Sequence, residues 1–422
     1  MERRMTGVVS HDAGVWWLTV RAERRVLMMV PTMTSVKRLL DIADLFEGDL
    51  RVQLLFTVPP NMLGDGTAGL LGRLGVPLVP WRQAVAQRYD LAVTANLGGM
   101  AEVDAPVAYF SHGASRNKQA QPRGRGSIPV PARIHGFARS ALVQGGMLVP
   151  SAIALGHDRE LALLAEDCPE ALPVARVVGD PCYDRIVAGR GLREAYRDAL
   201  GLGAGEKLVV VSTTWCGDSL LGSAPHQLER LVEQLPRSQY RVVLLIHPNV
   251  VAAHGAYQLR AWLGHLARKG LILTRPEQDW EPFLLAADYI VGDHGSVTLY
   301  GAAVGVPVLL GAYRASAVHP SSGAAALAAV APRLVGSASV IEQLAQADEQ
   351  YDAEAMAGVA ALISSEPGSF ARHTRSLLYG MLSLGQLATP ARVAAVSVPR
   401  SLRESAARST MGKNRGMGLG AA

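Results

Sequence analysis

Along most of the chain, short apolar runs alternate with stretches whose apolar residues recur every three or four positions. Residues 25–30 (RVLMMV), 51–58, 76–79 and 90–94 read as strands, and residues 35–46, 61–74 and 81–88 read as the helices between them. The runs are apolar throughout and do not alternate with polar residues, which is the pattern of strands buried on both faces. Strand–helix–strand order then requires right-handed crossovers and a parallel sheet.

The same rhythm continues past the middle of the chain. A strand at 107–110 (VAYF) runs into SHGASRNKQAQPRGRG, residues 141–155 are apolar, 158–166 read as helical, and 175–178 lead as a strand into GDPCYDRI. A domain boundary is expected near residues 179–181. A helix over 184–200 follows, then a strand at 207–212 (KLVVVS), a helix at 227–235, a strand at 241–246 (RVVLLI), a helix at 252–269, a strand at 271–273 and a helix at 280–287. The segment 287–311, ADYIVGDHGSVTLYGAAVGVPVLLG, reads as a strand at 289–292, a polar turn, a helix at 297–304 stopped by Gly305, and a strand at 306–310. Beyond it come a loop holding His319, Ser321 and Ser322, a helix at 324–331, an edge strand at 334–335 and a helix at 340–345. Closing helices at 352–363 and 370–384 complete the pattern.

The expected fold class is α/β. The division is an irregular segment 1–24, a first Rossmann-like domain 25–180, a second 181–350, closing helices 351–387 and a disordered basic tail 388–422. At 422 residues the chain exceeds the size at which one core stops growing, so two domains are expected.

Charge narrows the partners. The chain carries a formal +5, but the stretch from Arg400 onward holds +4 of it and leaves the remainder at +1. No basic stripe with interleaved aromatics appears, which excludes a nucleic-acid partner. The basic tail reads first as a solvated tail, with weak attraction to anionic lipid as the alternative. Cys168, Cys182 and Cys216 lack Cys-x-x-Cys spacing and suggest neither a disulfide framework nor a thiolate zinc site. The loop after the first strand, VPTMTS, has no G-x-G-x-x-G, so a nicotinamide dinucleotide is not expected. Neither a cofactor nor a metal is implied. No apolar run spans a bilayer and the start lacks a signal-peptide core, so a cytoplasmic protein is expected, with peripheral contact at the inner membrane face.

Candidate chemistry sits at the carboxyl ends of the strands, where open α/β sheets place ligands. The first amides of the helix after Asp293 lack internal partners and carry its positive pole. Gly295, Ser296, Val297 and Thr298 therefore form an anion seat suited to a pyrophosphate, with the Ser296 and Thr298 hydroxyls as added donors. The alternative is a simple N-cap by Asp293 or Ser296. In the 111–126 turn, Ser111, His112 and Gly113 precede Arg116, Lys118, Arg123 and Arg125. His112 reads either as a base or as a structural histidine bonded to a backbone carbonyl. Pro248 is expected to bar helical continuation and so hold His247 at its strand tip.

Three strand-tip motifs in order, SHGASRNK, IHPN and DYIVGDHGSV, resemble those of the CDP-glycerol glycerophosphotransferases that build teichoic-acid-type polymers. VVGDPCYD and STTW stand where that family has Gly-x-Pro-Arg-x-Asp and Pro-Thr-Trp-Arg. The resemblance covers residues 107–310 and implies a GT-B fold, two Rossmann-like domains with the ligand cleft between them, the first on the acceptor side and the second on the donor side. It further implies that His112 deprotonates an acceptor hydroxyl and that His247 binds or protonates the donor diphosphate. Gly113, Lys118, Thr213, Thr214, Trp215, Asp293, His294, Gly295, Ser296, Val297 and Thr298 would line the donor site.

The implied partners are a nucleotide-activated donor, CDP-glycerol or a nucleotide sugar, and a hydroxyl acceptor such as a polymer or lipid-linked glycan. The chain departs from the family pattern in several places. Cys182–Tyr183 and Cys216 stand where arginines are expected, His294–Gly295 replaces Tyr-Ser, and the TLYGA stretch lacks the family's Asp. Two alternatives stay open: an enzyme like UDP-N-acetylglucosamine 2-epimerase, and a non-catalytic nucleotide-binding protein of the same fold.

Overall fold

Two parallel sheets organise the protein. The computed structural model describes residues 19–60, 66–114, 117–118, 136–275 and 278–398. The expectations for residues 1–18, for the start of the 61–74 helix, for Arg116, Arg123 and Arg125, and for the tail beyond 398 lie outside these residues. The strands are β1 (Arg24–Met29), β2 (Val52–Thr57), β3 (Leu91–Thr94), β4 (Val107–Tyr109), β5 (Val143–Gln144), β6 (Met147–Leu148), β7 (Ala152–Leu155), β8 (Ala175–Val177), β9 (Lys207–Thr213), β10 (Tyr240–Ile246), β11 (Ile272–Leu273), β12 (Tyr289–Gly292) and β13 (Val308–Leu310). The first sheet runs β2-β1-β3-β4-β7-β8 and the second β11-β10-β9-β12-β13; β5 and β6 form a separate antiparallel hairpin.

Each sheet is buried on both faces, which explains the unbroken apolar runs. In β1, Val26 and Met28 point into one core and Leu27 and Met29 into the other. In β9, Leu208 and Val210 part from Val209 and Val211 in the same way. The Ala353–Ala361 helix packs on the second sheet, while the Phe370–Leu382 helix returns to the first and places Phe370, Leu378 and Tyr379 in the core with Val26 and Met28. Among the described residues no helix is long and apolar enough to cross a membrane.

Several elements differ from expectation for local reasons. The helix expected over 184–200 is two, Pro181–Gly189 and Arg193–Ala199, joined by a 3-10 turn containing Gly191. At Gly189 the backbone lies against Leu285, where a Cβ would stand 2.7 Å from Leu285 Cδ1. Pro248 does not bar a helix but starts one: Pro248–Arg268 has the proline at its first position, where the missing N–H has no partner to lose, and His247 is the N-cap. Gly255, at φ 78 and ψ 146, breaks that helix. The helix expected over 297–304 spans only Ser296–Gly301 before turning toward Gly305. The strands expected at 76–79 and 334–335 shrink to single bridges, Phe56 to Leu78 and Leu310 to Arg333.

In the second sheet, β10 and β11 lie to one side of β9 while β12 and β13 lie to the other. The crevice beyond the carboxyl ends of β9 and β12 is thus a topological switch point, the favoured ligand position in such sheets.

Candidate functional site

Asp293 builds the floor of that crevice. It is fully buried, and its Oδ2 accepts the N–H groups of Thr214 and Leu220, both at 2.8 Å, while Oδ1 accepts that of Gly295 at 2.9 Å. Burial pushes the carboxyl pKa up against the pull of these bonds and of His294. The carboxylate therefore ties the loop after β9 to the turn after β12 and is not turned toward a ligand. Thr213 acts similarly, its hydroxyl accepting the Leu221 N–H at 3.1 Å and donating to the Thr214 carbonyl at 3.2 Å.

Thr298 also departs from its expected place. Its side chain is fully buried against Gly292, where a Cβ would stand 2.1 Å from Thr298 Oγ1, so glycine is required there and the hydroxyl faces inward. Val297 packs its side chain against the second domain's core and leaves only its amide to the turn. At the cleft edge Trp215 and Ser296 are partly exposed, with Thr214, His294 and Gly295 buried beside them. The helix is short, so its pole is weaker than the sequence suggests, though its first N–H groups still lack intrahelical partners.

The opposite wall comes from the loop after β4. His112 Nδ1 lies 2.9 Å from the Ala95 carbonyl oxygen. A carbonyl only accepts, so Nδ1 carries the hydrogen and the basic lone pair sits on Nε2. The structural and the basic readings of His112 are thus the same geometry seen from the ring's two nitrogens. Gly113 closes the gap between domains, for a Cβ placed on it would stand 2.6 Å from Ser296 Oγ.

Further along, Asn117 and Lys118 cross onto the second domain. Lys118 pairs with Val318 in an antiparallel bridge, Asn117 O accepts the His319 N–H at 2.9 Å, and Asn117 Oδ1 accepts that of Ala324 at 3.2 Å.

Between the walls stands a cationic and imidazole-rich cluster. Lys118 Nζ lies 4.6 Å above the Trp215 ring, and that ring is 6.3 Å from the His247 ring, centroid to centroid. Burial lowers the Lys118 pKa, opposed by Cys216, Asp293 and Asp218. His247 Nδ1 accepts the Asn249 N–H at 3.1 Å, so its hydrogen is on Nε2. Burial, reinforced by Lys118 and His112, lowers its pKa to about 3, which keeps it neutral although the residue stays partly exposed.

His294 is buried, with its pKa lowered by burial and an Nδ1 that has no partner. A partly buried lysine and the Nε2–H of His247 thus stand close together, an environment that favours an anion. Among the described residues no cluster of His, Cys, Asp or Glu could hold a metal ion.

The sequence missed three supports of this site: the Ala95 carbonyl, Asn117 and Asn249. Asn249 follows directly from the proline start of its helix, a signal that was available. The other two partners are set by tertiary contact alone.

This architecture, two Rossmann-like domains with facing strand ends and a cleft between them, is the GT-B fold. No family model and no curated protein matches the sequence. Among solved structures, the chain is similar to the wall teichoic acid polymerase TagF, at 14% identity and a TM-score of 0.58, with 86% of this chain and 90% of that one covered. A histidine-to-asparagine variant of TagF with CDPG gives the same TM-score at 12% identity over the same shares of both chains. A weaker likeness, TM-score 0.45 at 12% identity over 86% of this chain and 100% of that one, joins it to the Anabaena protein HepE in complex with UDP-glucose. At these identities the likeness establishes the fold.

Proposed function

We propose that the protein is a GT-B transferase that moves an activated group from a nucleotide-diphosphate donor to an acceptor hydroxyl, with glycerophosphate from a CDP-glycerol-like donor as the first choice. The observation that carries this reading is the convergence of His112 and Gly113 from one domain with Trp215, His247 and Ser296 from the other, around Lys118. The likeness to TagF, a teichoic acid polymerase studied with CDPG, agrees with the choice of donor.

In this reading His112 Nε2 takes the proton from the acceptor hydroxyl as that oxygen bonds to the donor phosphorus. The P–O bond to the nucleoside monophosphate breaks, and the leaving phosphate departs with the electron pair. His247, through Nε2–H, and Lys118, through its ammonium, bear on the developing charge, with the amides around Ser296 beside them. His247 starts neutral and donates at Nε2, while His112 in its neutral form accepts there.

Thermal-shift measurements with CMP, CDP-glycerol, UDP and UDP-N-acetylglucosamine test the donor, since a ligand bound only by the folded state raises its melting point. A rise with CDP-glycerol and release of CMP when an acceptor is added are expected. No shift with any of the four overturns the reading, and formation of a 2-epimer from UDP-N-acetylglucosamine without acceptor replaces it with the epimerase.

A further inference from the structure

The helix Met33–Ala43 of the first domain sends Lys37 and Asp41 to partners in the second and Arg38 to Asp180 at the boundary between them. Arg38 Nη2 lies 2.8 Å from Asp180 Oδ2. Lys37 Nζ lies 2.6 Å from Asp279 and 2.7 Å from Glu281. Asp41 takes Arg185 through two bonds of 2.5 and 3.0 Å, and Arg185 also lies 3.3 Å from Glu281. Arg38, Asp41, Asp180, Arg185 and Glu281 are buried, and Cys182, whose thiol burial pushes up to about 12, sits 3.6 Å from Arg185 as a neutral neighbour. In a dry interior, removing one partner of such a pair strands the other's charge, so the arrangement specifies one packing of the domains.

Asp180 links this contact to the cleft. Its Oδ1 accepts the Tyr183 N–H at 2.9 Å, capping the Pro181–Gly189 helix, and the Tyr300 hydroxyl lies 3.0 and 2.9 Å from its two oxygens. Tyr300 belongs to the Ser296–Gly301 helix, whose first residue faces Gly113, and its ring stacks on Trp280 at 5.1 Å. The same first-domain helix reaches the other wall, where the Thr34 hydroxyl donates to Asn249 Oδ1 at 3.2 Å. Asn249 is the residue whose N–H sets the His247 tautomer. One helix therefore holds both second-domain walls of the cleft.

We infer that Arg38, Asp180 and Tyr300 form a positioning relay, in which the first domain holds the Ser296–Gly301 helix, and with it the Gly295–Ser296 turn, at a set distance from His112. Its kinetic consequence rests on the transferase reading; its structural consequence does not. None of the three touches the reacting groups, and each acts through the helix it anchors.

Tyr300→Phe is the cleanest test, because it keeps the ring stack and the Arg38–Asp180 pair and removes one hydroxyl. The expected result is a fall in kcat of about tenfold with the donor KM within about twofold, since misplacement by a fraction of an ångström lowers the rate more than it weakens binding. In the ligand-free protein, amide hydrogen exchange over 293–298 should quicken several-fold while β1 and β9 stay at wild-type protection. Arg38→Lys, which keeps the charge, should retain more turnover than Arg38→Met.

Wild-type kcat together with wild-type exchange over 293–298 in Tyr300→Phe overturns the relay. A speed-up spread evenly over both sheets overturns it too, because that is ordinary loss of stability. If the wild type turns over no donor, the transferase reading fails by itself and the exchange measurement still decides the relay.

Discussion

Gly113→Ala tests the contact on which the site depends. Gly113 does not lie in the left-handed region, so alanine brings no backbone strain and the substitution reports packing alone. The added Cβ would stand 2.6 Å from Ser296 Oγ and 3.2 Å from Ser296 Cβ. The hydroxyl can rotate away, but the carbon cannot, so the two turns must part by a few tenths of an ångström. Overpacking of this kind costs about 1 to 3 kcal/mol, and the flexible hydroxyl argues for the lower half. Against it stands a gain of about 0.4 to 1 kcal/mol from the smaller conformational freedom of the unfolded chain.

A double-mutant cycle separates the two effects. Ser296→Gly removes both clashing atoms, so the unfolded-state gain appears in both backgrounds and cancels, leaving a coupling of about 1 kcal/mol or more between positions 113 and 296. Urea unfolding followed by tryptophan fluorescence supplies the four stabilities. An additive cycle, with coupling under about 0.3 kcal/mol, would mean that the turns do not touch in solution and would refute the convergence.

Other outcomes follow from the same geometry. His112→Ala should abolish turnover while the thermal shift with CDP-glycerol persists; wild-type turnover would remove it as the base. His247 has a folded pKa of about 3 against an ordinary 6.5, so the unfolded chain binds the extra proton first. Its contribution to stability is complete above pH 6.5 and is lost as pH falls toward 3, by about 1 to 2 kcal/mol at pH 5 after allowing for its partial exposure. His247→Asn, whose oxygen can still accept the Asn249 N–H, should flatten the pH dependence of the urea midpoint by close to one proton; an unchanged slope would count against a buried neutral imidazole. Asp293→Asn turns one acceptor into a donor facing backbone N–H groups and should destabilise by about 2 to 4 kcal/mol, read from urea unfolding, with a wild-type midpoint contradicting its role as the loop tie.

Much of the fold was legible because strands buried on both faces leave unbroken apolar runs, as in RVLMMV and KLVVVS, and because the glycines and prolines between them mark turns. The polar residues at strand ends were legible for the same reason, since β4, β9, β10 and β12 each deliver their side chains toward one edge. What one sequence could not convey was the direction of each side chain once delivered. Thr213, Asp293 and Thr298 carry the same groups as ligand-binding residues, yet backbone N–H donors or a glycine opposite claim them. Nothing in the pattern marks Lys37, Arg38 and Asp41, because their partners, from Asp180 to Glu281, lie far along the chain. An amphipathic pattern records that a face is polar but does not record whether water or another domain meets it.

The tautomers of the two histidines carry this point to the chemistry. The atom opposite each Nδ1 assigns the role left to Nε2: a carbonyl oxygen from Ala95 beside His112, an N–H from Asn249 beside His247. Exchange those two backbone groups and the accepting and donating roles at Nε2 exchange as well, with no change in any side chain. The division of labour in the cleft is therefore set by backbone geometry, through the β3–β4 pairing that presents Ala95 beside His112 and the proline start that presents Asn249 to His247. A variant that disturbs either backbone, such as Pro248→Ala with its freer helix start, should change the pH dependence of turnover before it changes donor affinity. A pH profile identical to that of the wild type would show that the tautomer is held by something other than the helix start.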